Sequence, residues 1–246
     1  MLSMSFNGCK FLSGLALCSV MATAANAEII IHGTRVIYPS DAREVTLQLS
    51  NNGSKPALVQ AWIDEGDPKS TPDQSKVPFM ITPPISRVEP TKSQTLRITA
   101  LPNALQLDQK QETVLWLNVL DIPPRPTGKG AETVPDNFLQ LAIRSRIKFF
   151  YRPANIKEDA NLAADKLQWH RVGQNIVVKN PTPFHITMTS IYQANGDKKV
   201  DLLPKGLMLK PFSEDQVQLK TSNTEKMSFI NVNDYGGRVE RPIKFQ

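Results

Sequence analysis

The 246-residue chain carries 29 lysines and arginines against 23 aspartates and glutamates, a formal net charge of +6, and two cysteines. Both, Cys9 and Cys18, fall within the first 27 residues, so the rest of the chain has no disulfide framework, no thiol nucleophile and no cysteine-based metal site. The basic residues are scattered apart from Arg144, Arg146, Lys148 and Arg152, and no nucleic-acid-binding motif interleaves them with aromatics, which sets nucleic acid aside as a partner.

Residues 1–27 hold one cation (Lys10), no acid, an apolar run over 11–24 and the small-x-small triplet Ala25-Asn26-Ala27. This is the layout of a secretory signal, and the run is too short for a comfortable membrane span. The mature chain is therefore expected to start at Glu28, with 219 residues (246 minus 27) and a net charge of +5 once Lys10 is gone. No second long apolar run follows, so membrane insertion of the mature protein is not expected. An exported chain without disulfides must stand on its core alone.

From residue 45 onwards short alternating runs recur, separated by turn residues. Val45, Leu47 and Leu49 alternate before Asn51-Asn52-Gly53, a hairpin or turn signal. Runs over 58–63, 79–81, 95–98, 113–120 and 138–151 follow, with proline-bearing loops at Thr82-Pro83-Pro84, Glu89-Pro90 and Ile122-Pro123-Pro124. About seven short strands at this spacing predict an immunoglobulin-type β-sandwich, with Trp62 placed like a core tryptophan. After Pro153 the polar stretch to Asp165 reads as a linker. A second strand set follows over 167–170, 175–179, 186–192, 207–209, 216–219, 227–232 and 239–245. The expected architecture is all-β, with two domains over 28–152 and 153–246, both of ordinary size.

Catalysis finds no foothold. His32, His170 and His185 are scattered and read as isolated surface or half-buried histidines, not metal ligands. Neither a nucleophile elbow, a phosphate-binding loop nor a zinc-binding helix motif is present. Asp64, Glu65 and Asp67 read as a solvated turn beside Pro68 and Lys69. No catalytic residue, metal or cofactor is expected.

The stretch NFLQLAIRSRIKFFYRP over 137–153 is unusual. Leu139, Leu141 and Ile143 share one face, and the strand then runs into cations and aromatics. Either this face packs into its own sandwich, or it is an edge left open for β-strand addition by a partner. The preceding loop over 125–136, rich in proline, glycine and charge, suits an open edge.

Seven motifs in order carry a family resemblance: Gly33-Thr34-Arg35-Val36-Ile37-Tyr38-Pro39; Leu49-Ser50-Asn51 with Gln60-Ala61-Trp62-Ile63; Thr82 to Pro90; Leu117 to Pro124; Leu139 to Ile143; Arg146 to Pro153; and Asn233-Asp234-Tyr235-Gly236-Gly237. Together they resemble the periplasmic chaperones of the chaperone–usher pathway that assemble pili. The resemblance implies two immunoglobulin-like β-sandwich domains in a boomerang arrangement, with the working cleft between them. It implies that Arg35 and Lys148 anchor the C-terminal carboxylate of a pilus subunit, and that Leu139, Leu141 and Ile143 fill the open groove of that subunit by donor-strand complementation. It further implies an ion network of Glu112, Arg152 and Asp234 joining the domains. Two branches of the family stay open: the loop over 125–136 is longer than short-loop members carry, whereas the absence of a cysteine pair near the donor strand points to the short-loop branch. The implied protein is an ATP-independent chaperone in the periplasm of a Gram-negative bacterium. It delivers fimbrial subunits to an outer-membrane usher. For the free protein the sequence leaves two alternatives, a monomer and a homodimer that caps the exposed apolar edge. The rival classes are a pilus subunit or adhesin, which usually carries a cysteine pair and an incomplete fold, and a carbohydrate-active or proteolytic enzyme.

Overall fold

The computed structural model describes residues 29–124, 140–195, 198–220 and 226–246. The predicted signal and the 125–136 loop lie outside them. In the first unit the strands are β1 (Ile29–Ile31), β2 (Arg35–Pro39), β3 (Val45–Asn51), β4 (Ala57–Asp64), β5 (Phe79–Thr82), β6 (Ile85–Val88), β7 (Ser93–Ala100), β8 (Thr113–Ile122) and β9 (Ile143–Arg152). They form two packed sheets in the orders β1-β3-β7-β5 and β2-β9-β8-β4-β6. The chain changes sheet between β1 and β2 at Gly33, whose φ of 145° is open to glycine at little cost. Alternation does the rest. Leu47, Leu49, Leu96, Ile98, Leu115, Leu117, Phe149 and Tyr151 turn inward from both sheets. At one end Tyr38, Phe79 and Phe149 form an aromatic cluster, with Phe79 edge-on to Phe149 at 4.8 Å.

The second unit comprises β10 (Gln168–Val172), β11 (Asn175–Lys179), β12 (Ile186–Asn195), β13 (Lys198–Asp201), β14 (Leu207–Leu209), β15 (Glu214–Gln218), β16 (Met227–Val232) and β17 (Arg238–Pro242). One sheet runs β10-β11-β15, the other β13-β12-β16-β17, with β14 also on β12. Its separate core centres on Trp169, Ile176, Phe184, Met188 and Phe229.

Three sequence readings need correction and a fourth is narrowed. The strand expected over 138–151 starts only at Ile143, and residues 140–142 are not in a strand. Its partner β8 stops at Ile122 before Pro123-Pro124, which can offer no N–H to a ladder. The stretch read as a linker is part of the second unit. Ala163 and Ala164, in a 3-10 turn over Ala160–Lys166, are buried in its core. Of the hairpin or turn read at Asn51-Asn52-Gly53, the turn is what forms: it is a corner between sheets, because β3 and β4 belong to opposite ones. Asn51 is fully buried there and its amide donates to Lys55 O and Val88 O. Trp62 is buried, but on the outward face of β4, away from the neighbours Ala61 and Ile63 that enter the core.

Candidate functional site

The pairing of β9 creates the site. Antiparallel β8 accompanies it from Tyr151 to Ile143, but parallel β2 covers only Lys148 to Arg152. From Ile143 to Ile147 one edge of β9 has no partner strand among the described residues. Odd-numbered residues Ile147, Phe149 and Tyr151 face the core, so Arg144, Arg146, Lys148, Phe150 and Arg152 form a row on the opposite face.

In the parallel register Arg35 lies directly opposite Lys148. The Arg35 Nη1 donates to Val232 O at 3.1 Å, its guanidinium lies over Phe150 at 5.8 Å, and its buried Nε has no partner. Lys148 Nζ donates to Thr187 Oγ1 at 2.8 Å. Both Val232 and Thr187 belong to the second unit, so the two cations sit between the units. Neither has a carboxylate within ion-pair distance among the described residues. Burial, followed by the charge of Arg35, pushes the Lys148 ammonium down to about 8. Arg35 is also lowered by burial, against the attraction of Asp234 and Glu112. Beside Lys148 opens a cleft of about 460 Å³ lined by Trp116, Thr187, Met188 and Leu207. The cleft thus holds two partly desolvated cations side by side, neither in direct ion-pair contact with a carboxylate among the described residues.

Arg152 is differently placed. Its Nη1 donates to Asp234 Oδ2 at 2.7 Å and its Nη2 to Glu112 Oε1 at 2.8 Å, so the three charges meet across the units. Burial alone would lower the guanidinium, but the hydrogen bonds and charges of Asp234 and Glu112 outweigh it and raise it. Glu112 is 3% exposed, and its Oε2 accepts from the His185 backbone N–H at 2.9 Å. Of the apolar trio, Leu141 precedes β9 and is 62% exposed, Ile143 opens β9 and is 53% exposed, and Leu139 lies outside the described residues.

Two features escaped the sequence reading. Asp64 is not in a solvated turn. It is 3% exposed and accepts from Gly66 N, Ser70 Oγ, Asn118 Nδ2 and Arg146 Nη2 at 2.6–2.8 Å. Burial would raise its carboxyl, but the bonds from Asn118, Gly66 and Ser70 and the Arg146 charge hold it low. His185 has a side chain only 6% exposed, with Nδ1 3.3 Å from Glu112 Oε2 and its ring beside Phe150. The partners that bury them are distant in sequence, Asn118 and Arg146 by 54 and 82 residues from Asp64 and Glu112 by 73 from His185, which is why neither was legible.

The fold and cleft define a class: a two-domain β-sandwich protein in which, among the described residues, the β9 edge from Ile143 to Ile147 has no partner strand and runs down to the adjacent cations Lys148 and Arg35. Residues 28–157 match the pili and flagellar-assembly chaperone, PapD N-terminal domain family, and residues 162–243 the pili assembly chaperone PapD, C-terminal domain family. The chain belongs to this family of pili assembly chaperones, which are chaperones and not enzymes. It is 45% identical over 228 residues to the chaperone protein MrkB of Klebsiella pneumoniae, covering 92% of this chain and 95% of that one. It resembles the crystal structure of the YadV chaperone, a probable fimbrial chaperone of Escherichia coli, with a TM-score of 0.72 and 35% identity over 88% of this chain and 99% of that one. It also resembles the SafB chaperone chain in complex with the SafA pilin of Salmonella enterica, with a TM-score of 0.70 and 26% identity over 87% and 96%.

Proposed function

We propose that this protein is a periplasmic chaperone that holds pilus subunits by lending them a strand and passes them to an outer-membrane usher. The observation that carries the proposal is the pair Arg35 and Lys148, side by side with no ion-paired carboxylate at the foot of a β9 edge that has no partner strand among the described residues. A subunit strand adds along that edge and its terminal carboxylate docks on the two cations, which sets its register. Leu141 and Ile143, with Leu139 ahead of them, then enter the subunit's groove. Their exposure supports this, since Leu141 and Ile143 are large aliphatic side chains that leave 62% and 53% of their surface in water. The relative crystallised with its pilin supports the same client class.

The mature protein runs from residue 28 in two domains, 28–152 and 153–246, and works without ATP. The Arg152–Glu112–Asp234 network fixes the angle of the cleft. Among the described residues no helix is long and apolar enough to cross a membrane. The free edge also allows a second copy to cap it. The test is co-purification from the periplasm of the native host with mass spectrometry. Wild type is expected to retain a pilin-like subunit at one to one and Lys148→Glu to lose it. Identical partners for both variants would remove Lys148 from the anchor, and no subunit with wild type would remove the chaperone assignment.

A further inference from the structure

A client strand that slips by one residue along β9 presents the wrong face of its alternating pattern, and the lost burial rejects it. A slip by two residues keeps every side chain in phase. Hydrophobic patterning alone therefore cannot tell register zero from register two, and the anchor must do so. Yet the outward row of β9 offers cations at both positions. Arg146 stands two residues, about 6.7 Å, from Lys148, on the open segment of the edge, and Arg144 stands another step along. Three cations at this spacing would give a terminal carboxylate three places to dock.

The structure closes two of them. Arg144 Nε and Nη2 donate to Asn118 Oδ1 at 2.9 and 2.7 Å, Nη1 donates to Pro68 O at 2.9 Å, and Nη2 lies 3.4 Å from Asp64 Oδ2. Arg146 Nε donates to the same Asn118 oxygen at 3.0 Å and its Nη2 to Asp64 Oδ1 at 2.8 Å. The guanidinium faces lie over Trp62 at 4.6 Å and Trp116 at 4.9 Å, respectively. Asp64 thus supplies the only carboxylate on this stretch of the row among the described residues, and Asn118 spreads its hold over both arginines. Lys148, next in the row, donates among the described residues to the Thr187 hydroxyl and to no carboxylate.

We propose that Asp64, seconded by Asn118, is a specificity-determining residue for client binding: by occupying Arg146 and Arg144 it leaves Lys148 with Arg35 as the sole carboxylate receptor, and so excludes the two-residue slip. The inference rests on the proposed anchor, and the experiment separates the two. The probe is a synthetic peptide long enough to lie along β9, with aliphatic residues at alternate positions and a free C-terminal carboxylate, compared with its C-terminal amide. In the chain with Asp64 intact, Lys148→Ala should weaken binding of the carboxylate form about tenfold or more and leave the amide unchanged, the scale of one charge-assisted hydrogen bond. If it does not, or if the wild-type chain fails to bind the peptide, the anchor itself is wrong and the inference goes with it.

Asp64→Asn frees the Arg146 guanidinium. In that background Lys148→Ala should weaken the carboxylate form by less than about threefold. A nitroxide on the peptide should also move by about 6.7 Å relative to one on the protein. Adding Arg146→Gln should abolish the rescue, and Asp64→Glu, which keeps the charge, should behave as wild type. Full dependence on Lys148 in the Asp64→Asn chain, with unchanged label distances, overturns the inference while leaving the anchor standing. Should Asp64→Asn fail to fold, Arg146→Gln alone decides. With Asp64 in place it should leave the carboxylate-to-amide affinity ratio unchanged, and a fall of threefold or more in that ratio overturns the proposal.

Discussion

Lys148 is held where burial and a neighbouring cation both oppose its charge, with a pKa of about 8. Below that value the ammonium is charged in the folded and unfolded chain alike, and its desolvation counts fully against the free fold. Between about 8 and the ordinary lysine value near 10.4 the unfolded chain binds the extra proton, so this residue makes the free chain more stable as pH rises through that window. Client binding has the opposite trend, since the carboxylate needs the charged form, and affinity should fall between pH 7 and 9. Calorimetric titration of a subunit or terminal peptide across that range checks it, and a flat profile would show that Lys148 carries no part of the anchor. Lys148→Met should raise the melting temperature of the free protein and lose the client. On the proposed function, the buried Lys148 charge costs the free fold stability and gains its carboxylate partner only when the client binds.

At the scale of an element, β9 performs two tasks along its length. From Lys148 to Arg152 it is a strand paired on both sides with a buried inner face, and from Ile143 to Ile147 it is, among the described residues, an edge. Substitutions should divide accordingly. Ile143→Lys removes a side chain that is already 53% exposed, so the free chain should keep its stability within about 0.5 kcal/mol. Client affinity should drop by about 1.5–3 kcal/mol, roughly ten- to a hundredfold, because that burial exists only in the complex. Phe149→Ala, in the fully buried part, should cost about 3–5 kcal/mol of folding stability. Paired denaturant melts and affinities measure both. Equal stability losses at the two positions would mean that Ile143 is covered in the free chain. The strand's late start fits the same physics, since in this register Leu141 and Gln140 fall opposite Pro123 and Pro124, which offer no N–H to a ladder.

Across the whole molecule, the two units meet through few but demanding contacts. Arg152→Met would leave Glu112, 3% exposed, without its cation, and breaking a buried pair from one side costs about 3–5 kcal/mol. The expected outcome is a melting transition that splits or falls, with a wider spread of interdomain distances by scattering. An unchanged transition would show that solvent reaches Glu112. Gly236 is a second test of the junction. Its φ is +83°, and a Cβ there would lie 2.5 Å from Thr34 Oγ1 across the units. Gly236→Ala should therefore loosen the junction, and adding Thr34→Ala should recover the steric part but not the backbone part, which is worth about 1 kcal/mol.

By itself the sequence determined the fold class, most strand positions and the motif residues of the cleft. These depend on local signals: period-two alternation, proline and glycine at strand ends, and motif order along the chain. Runs over 175–179, 207–209 and 227–232 reappear unchanged as strands. Only the tertiary structure decided which charges are neutralised. Asp64 looked solvated because its neighbours are Glu65 and Asp67, yet its partner Arg146 lies 82 residues away and is brought to it by strand pairing across β8. His185 looked isolated for the same reason, with Glu112 73 residues before it. Trp62 looked like core because alternation fixes that faces differ, not which face is inside, and the Arg144 guanidinium covers the outer one. Charge pairing depends on distances of a few ångströms between strands, and no local pattern in the chain encodes them.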